Sequence, residues 1–147
     1  MISETPLDIS DAPSVDDQRE LERRLDEHNI EHTGIRDARL LSIMLRSPAG
    51  TLDAGLYGHT WGGCCEIKTL WVAATRRGEG LGRRLMHTAE DEAVRRGCTR
   101  IVLSTHSFQA PDFYARLGFR QVASIEDCPT GHSHILMMKR IGRTEVQ

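Results

Sequence analysis

Apolar positions along the chain follow two rhythms, and the switches between them predict the elements. Ser14, with Asp17 three residues on, resembles a capping box. Leu21 and Leu25 then repeat at helical spacing and predict a first helix ending near Asn29. From Arg39 to Arg46, Leu41, Ile43 and Leu45 alternate with smaller or polar residues, the period of a half-buried strand. Ser47-Pro48-Ala49-Gly50 marks a turn into a second strand from about Leu52 to Thr60. Trp61-Gly62-Gly63 breaks the rhythm, and a third strand follows from Cys64 to Val72. Strict alternation would place Glu66, Lys68, Leu70 and Val72 on one face of it, and Cys65, Ile67, Thr69 and Trp71 on the other.

After a glycine-rich stretch, Leu81, Leu85, Ala89 and Ala93, with Met86 beside them, predict an amphipathic helix from Gly80 to Arg96, closed by Gly97. Arg100 to Thr105 predicts a strand. Pro111 opens a short helix carrying Phe113, Tyr114 and Leu117, and Gly118 ends it. Two closing strands, about Phe119 to Ile125 and Ser133 to Arg140, flank the turn Cys128-Pro129-Thr130-Gly131. Strands grouped as hairpins around a central βαβ crossover indicate an α/β fold: one mixed sheet with helices on both faces. The expected organisation is a loose tail over 1–13, a single domain over 14–141 and a short tail over 142–147.

Composition narrows the class. The chain has 147 residues, 39% of them apolar, which suits one globular domain and contains no run long enough to span a membrane. Its start lacks a charged region followed by an apolar one, so a cytoplasmic protein is expected. A net charge of -2 argues against general nucleic-acid binding. The arginines nevertheless cluster at Arg76, Arg77, Arg83 and Arg84. The four cysteines form no C-x-x-C pair, and Cys128, His132 and His134 read better as a turn and alternate strand positions than as metal ligands, so no metal is expected.

Arg77-Gly78-Glu79-Gly80-Leu81-Gly82 lies between a buried strand and a helix start, the recipe for holding phosphate. Glycines let successive N–H groups converge on oxygen, and the helix start adds unpaired donors. A P-loop is excluded because no Gly-Lys-Ser/Thr follows. A dinucleotide fingerprint is excluded because Arg83 stands where its third glycine should fall. A plain strand-to-helix connection remains the alternative.

Arg77-x-x-Gly80-x-Gly82 resembles the R/Q-x-x-G-x-G/A motif of the GNAT superfamily of acyltransferases. Leu70-Trp71-Val72 precedes it as that family's L-x-V strand, and Ala110-Pro111-Asp112-Phe113-Tyr114-Ala115-Arg116-Leu117-Gly118-Phe119 is similar to its A-x-x-x-Y-x-x-L-G-F segment. Thr105-His106-Ser107-Phe108-Gln109-Ala110 and Pro129-Thr130-Gly131-His132 resemble a bacterial subgroup. The resemblance covers roughly residues 38 to 140. It implies a central twisted, mostly antiparallel sheet that splays between the strand ending at Val72 and the one ending near Ser104. It also implies acetyl-CoA as co-substrate. Backbone groups along Leu70, Trp71 and Val72 would hold the pantetheine arm, and the N–H groups of Gly78, Glu79, Gly80, Leu81, Gly82 and Arg83 would hold the pyrophosphate. Ala110 and Tyr114 would line the same arm. Ser107 stands where many members have Asn, and its shorter hydroxyl could still bond the arm.

Acetyl transfer to an amine needs a neutral nitrogen, a donor for the oxyanion and a proton for the departing thiolate. The resemblance assigns the donor to the Val72 N–H and the acid to Tyr114, with a half-buried core tyrosine as the alternative. Glu66 occupies the place where protein-acetylating members carry a glutamate, on the face expected to hold Leu70 and Val72, and is a candidate base. His106, just past its strand, is the other candidate; a solvated loop histidine is the alternative. The expected activity is N-acetylation of a small molecule or protein amine. A regulatory acetyl-CoA-binding module and a transferase of longer acyl groups stay open, as does a homodimer.

Overall fold

The computed structural model describes residues 4–142, so parts of both expected tails lie outside the described residues. These residues fall into two compact units, one ending at Arg36 and one beginning at Asp37. The first contains helix α1, Val15–Thr33. The Ser14 hydroxyl caps it by accepting the Asp17 N–H at 3.0 Å, as expected. The helix runs a turn beyond Asn29, because its stop is Gly34, whose left-handed conformation (φ 70°) lets its N–H reach the Ile30 carbonyl.

The second unit is built on a six-stranded mixed sheet. Its strands are β1 (Arg39–Arg46), β2 (Leu52–Trp61), β3 (Cys64–Val72), β4 (Arg100–His106), β5 (Arg120–Glu126) and β6 (Ser133–Arg140), in the spatial order β1-β2-β3-β4-β6-β5. Helix α2, Leu81–Arg95, makes the crossover between the parallel neighbours β3 and β4, and the short helix α3, Pro111–Arg116, follows β4. A 3-10 turn at Ala74–Arg76, with no counterpart in the expected elements, precedes the glycine loop.

The expected apolar stripe of α2 is the buried one: Leu81, Leu85, Met86, Ala89 and Ala93. Ala89 and Ala93 are fully buried, and their small side chains bring the helix close to Leu41, Ala54, Leu56, Cys65, Ile67, Ile101 and Leu103 of the sheet. Arg96 closes the helix onto the first hairpin. Its guanidinium donates to Glu92, to the Leu40 carbonyl at 3.0 Å and to the buried Thr60 hydroxyl at 3.2 Å.

Two irregularities in the sheet shape the site. Pairing of β3 with β4 runs from Cys64 opposite Arg100 to Ile67 opposite Leu103 and then stops, although β3 continues to Val72 and β4 to His106. The strands therefore part, opening the expected gap. Within the β2–β3 ladder, Gly58 faces Ile67 but Tyr57 faces Thr69, so Lys68 is an extra residue in a β-bulge.

The bulge corrects the expected faces of β3. Cys65 and Ile67 point into the core, and the phase then changes, so that Leu70 and Val72 lie opposite the buried Leu56 and Ala54 on that same side. Glu66, opposite His59, is on the other face with Thr69 and Trp71. A bulge shifts a period of two by one residue, so strict alternation could not hold across it.

Candidate functional site

Beyond the bulge, the register and one hydrogen bond determine where the β3 backbone points. The Ala73 N–H donates to the Asp53 carbonyl at 2.8 Å, which makes Val72 and Ala54 a pair that exchange no bonds with each other. By alternation Leu70 and Leu56 form the next such pair. The main-chain N–H and C=O groups of Leu70 and Val72 are therefore directed away from β2, into the gap left by β4.

That gap opens into a cleft of about 860 Å³. One wall is Lys68 to Val72, the opposite wall is Ser104 and Thr105, and the floor includes Phe113 and Tyr114 of α3. The far end is the glycine loop, where Arg76, Arg77, Gly78, Gly80, Leu81, Gly82 and Arg83 line it. Gly78 and Gly80 have φ of 81° and 77°, a conformation that favours glycine. Gly82 serves a different purpose: a Cβ there would lie 3.3 Å from the Phe113 ring, so its absence lets α2 seat against α3.

The start of α2 has no side-chain cap and no acidic residue in its first turn, and Arg83 and Arg84 stand there instead. Cations at a helix N-terminus oppose the helix dipole, whereas an anion bound there would be held by both. The loop is braced from below. Asp53, bulged out of the β1–β2 ladder, pairs with Arg76 at 2.6 Å, and Arg76 pairs with Glu79 at 2.8 Å. Hydrogen bonding to Glu79, then its charge, holds the Arg76 guanidinium protonated more firmly than usual. Asp53→Asn is expected to speed hydrogen exchange of the Arg84 N–H, which donates to the Gly80 carbonyl at 3.0 Å, by about 10-fold, with exchange in β4 unchanged. Equal rates in variant and parent would show that the brace is idle.

Most of the expected cofactor residues thus share this cleft: Leu70, Trp71, Val72, Arg77, Gly78, Gly80, Leu81, Gly82, Arg83, Ala110 and Tyr114. Glu79 does not line it, being turned to Arg76. Ser107 is also outside the lining: its hydroxyl accepts the Ser133 N–H at 2.9 Å and its own N–H donates to the Ser133 carbonyl. Tyr114 is buried, with its ring edge-on to Phe113 and Phe119. Burial pushes its phenol above the ordinary tyrosine range, so it stays protonated through neutral and mildly alkaline pH.

A second, smaller cleft of about 200 Å³ is lined by Glu66, Ile67, Lys68, Val102, Leu103, Ser104 and Leu136. Lys68 and Ser104 line both clefts, so the two meet where β3 and β4 part. Glu66 sits at this second mouth, 3.6 Å from His59. His106 lines neither cleft; it is the last residue of β4, rather than lying past the strand as expected, on the same sheet face as Ser104. Lys68, Ser104, Phe108 and Gln109 were not singled out from the sequence as site residues. Phe108 and Gln109 belong to the Thr105 to Ala110 segment, whereas Lys68 is the bulged residue.

The acetyltransferase (GNAT) family model matches residues 7–119. The chain is 38% identical over 116 residues to the blasticidin-S acetyltransferase of Streptomyces morookaense, covering 76% of this chain and 85% of that one. It is 30% identical over 132 residues to an acetyltransferase of Agrobacterium fabrum, covering 90% and 96%. A crystal structure assigned as an acetyltransferase from Agrobacterium tumefaciens superposes with a TM-score of 0.82 at 29% identity, covering 93% of this chain and all of that one.

Proposed function

We propose that this chain, which belongs to the GNAT acetyltransferase family, transfers the acetyl group of acetyl-CoA to a primary amine of a small molecule by direct attack on the thioester. The observation that carries the reading is the continuous cleft from the glycine loop to the strand gap. The glycine loop with its arginines stands at one end, and main-chain groups of Leu70 and Val72 are aimed into the other.

In this reading the pyrophosphate rests on the N–H groups from Gly78 to Arg83, with Arg77 and Arg83 beside it. The pantetheine arm runs along Leu70, Trp71 and Val72, where a chain of amide groups can pair with a strand edge. The thioester then lies at the gap, with its carbonyl oxygen toward the Val72 N–H, which would take up the negative charge formed on attack. The amine enters from the second mouth, past Glu66 and Ser104. A buried phenol that holds its proton at working pH suits Tyr114 to protonate the departing thiolate.

A small-molecule acceptor is favoured by the relative named for blasticidin S. The test is thiol release from acetyl-CoA against blasticidin S, aminoglycosides, polyamines and peptides. Release with one of them is expected. Binding of acetyl-CoA without release to any acceptor would leave a regulatory module in place of the enzyme reading, and faster release from longer acyl-CoA would reassign the donor. Tyr114→Phe should lower kcat by about 10-fold and leave KM for acetyl-CoA within about twofold, since a thiolate can also leave unaided. An unchanged kcat would remove Tyr114 from the reaction.

A further inference from the structure

The turn after β4 contains a hydrogen-bond knot centred on one atom. Gln109 Oε1 accepts the His106 backbone N–H at 2.8 Å, lies 3.0 Å from His106 Nδ1, and accepts the Thr105 hydroxyl at 3.3 Å. A backbone N–H can only donate, so the atom it meets must be the amide oxygen rather than the nitrogen. An amide oxygen can only accept, so His106 Nδ1 must carry the hydrogen. Neutral His106 is therefore the Nδ1–H tautomer, with a bare lone pair at Nε2. The Gln109 N–H in turn donates to the His106 carbonyl at 2.9 Å, closing the turn and fixing the glutamine relative to the ring.

The ring is also held from its sides. Phe108 stacks on it with centroids 5.3 Å apart, and His134, its partner across the β4–β6 ladder, meets it edge-on at 4.8 Å. His106 lines neither cleft but ends the strand that borders both. His106 shares the exposed sheet face with Ser104, the residue common to both clefts, and two strand residues place it about 7 Å along. The rival carboxylate, Glu66, already faces His59.

We propose that Gln109 is a positioning residue that locks His106 in the tautomer needed to act as base for the attacking amine. The inference rests on the transferase reading above. Nε2 takes one proton from the incoming ammonium, and the freed lone pair forms the C–N bond as the C–S bond breaks. The thiolate leaves with the Tyr114 proton, and the surplus proton on the new amide nitrogen restores the phenol. The imidazolium keeps its Nδ1–H on the same Gln109 oxygen and returns the Nε2 proton to solvent.

Two readouts test this. Two-bond 1H–15N spectra of the wild type at mildly alkaline pH should show His106 protonated at Nδ1 and bare at Nε2. In Gln109→Leu the ring should move to the Nε2–H form or a mixture. Turnover is measured by thiol release from acetyl-CoA with blasticidin S or, where that does not react, the fastest amine of the panel. Gln109→Leu and His106→Asn should each lower kcat by about 100-fold. Gln109→Glu, which keeps an acceptor oxygen at the same place, should preserve the tautomer and recover kcat to within about fivefold. A wild-type spectrum showing Nε2–H would overturn the proposal, as would wild-type kcat in either Gln109→Leu or His106→Asn. Loss in Gln109→Leu without recovery in Gln109→Glu would reduce Gln109 to a structural brace. Absence of thiol release from the wild type with every amine would instead strike the transferase reading, while the spectrum would still decide the tautomer.

Discussion

Gly58→Ala should destabilise the protein by at least about 3 kcal/mol and lower its melting temperature by about 10 °C. A Cβ at Gly58 would collide with the Glu66 carbonyl oxygen, and the next nearest atoms are the Glu66 carbonyl carbon at 3.0 Å and Ile67 Cα at 3.1 Å. All three are main chain, so no side chain can swing aside, and the ladder itself must open at the bulge. Gly55, on the same strand, supplies the control. A Cβ there meets the Met44 thioether sulfur at 2.7 Å, the end of a flexible and half-exposed side chain. Gly55→Ala should therefore cost less than about 1 kcal/mol. Thermal melts of both variants decide it, and a Gly58→Ala protein melting within two or three degrees (roughly one kcal/mol) of the parent would refute the steric argument. The consequence reaches past stability. The bulge sets the phase that aims Leu70 and Val72 into the gap, so the surviving folded fraction should also be a poor enzyme.

Arg77→Glu should raise the dissociation constant for acetyl-CoA about 100-fold. A charge-assisted bond to phosphate contributes about 1.5–3 kcal/mol, and reversing the charge adds repulsion, so a net loss of about 2.7 kcal/mol is reasonable. Arg77 lies at the cleft, its Nε 3.3 Å from the Val72 carbonyl, where it borders both the glycine loop and the strand end. Titration calorimetry at two salt concentrations measures the effect, which should shrink as salt rises. Arg95→Glu, at the opposite end of α2, should leave the affinity unchanged. Equal affinities for Arg77→Glu and the parent would remove the loop from the cofactor site.

Local pattern was sufficient for much of the fold. The buried stripe of α2, its closure before Gly97, the Ser14 cap and the limits of β1, β3 and β6 are all legible, because each depends on a run of neighbouring residues. The glycine loop is legible for the same reason. Its glycines, arginines and helix start are contiguous, and the resemblance carried by Ala110 to Phe119 identified the partner helix that supplies Tyr114.

What escaped depends on partners far along the chain. The bulge at Lys68 is a property of the β2–β3 pair, created where Gly58 admits the Glu66 carbonyl, and neither strand alone announces it. It put Leu70 and Val72 on the core side, apart from Glu66, and the bulged Lys68 lines both clefts. The brace from Asp53 to Arg76 and the tie between Ser107 and Ser133 are likewise long-range contacts. Even the knot at Gln109, only three residues from His106, required coordinates, because a tautomer follows from which atom meets which donor. The sequence by itself determined most of the elements, the family and the glycine loop, since these reside in local order. The tertiary structure alone decided which faces and atoms meet at the gap, since pairing across strands sets the phase and orientation of each side chain.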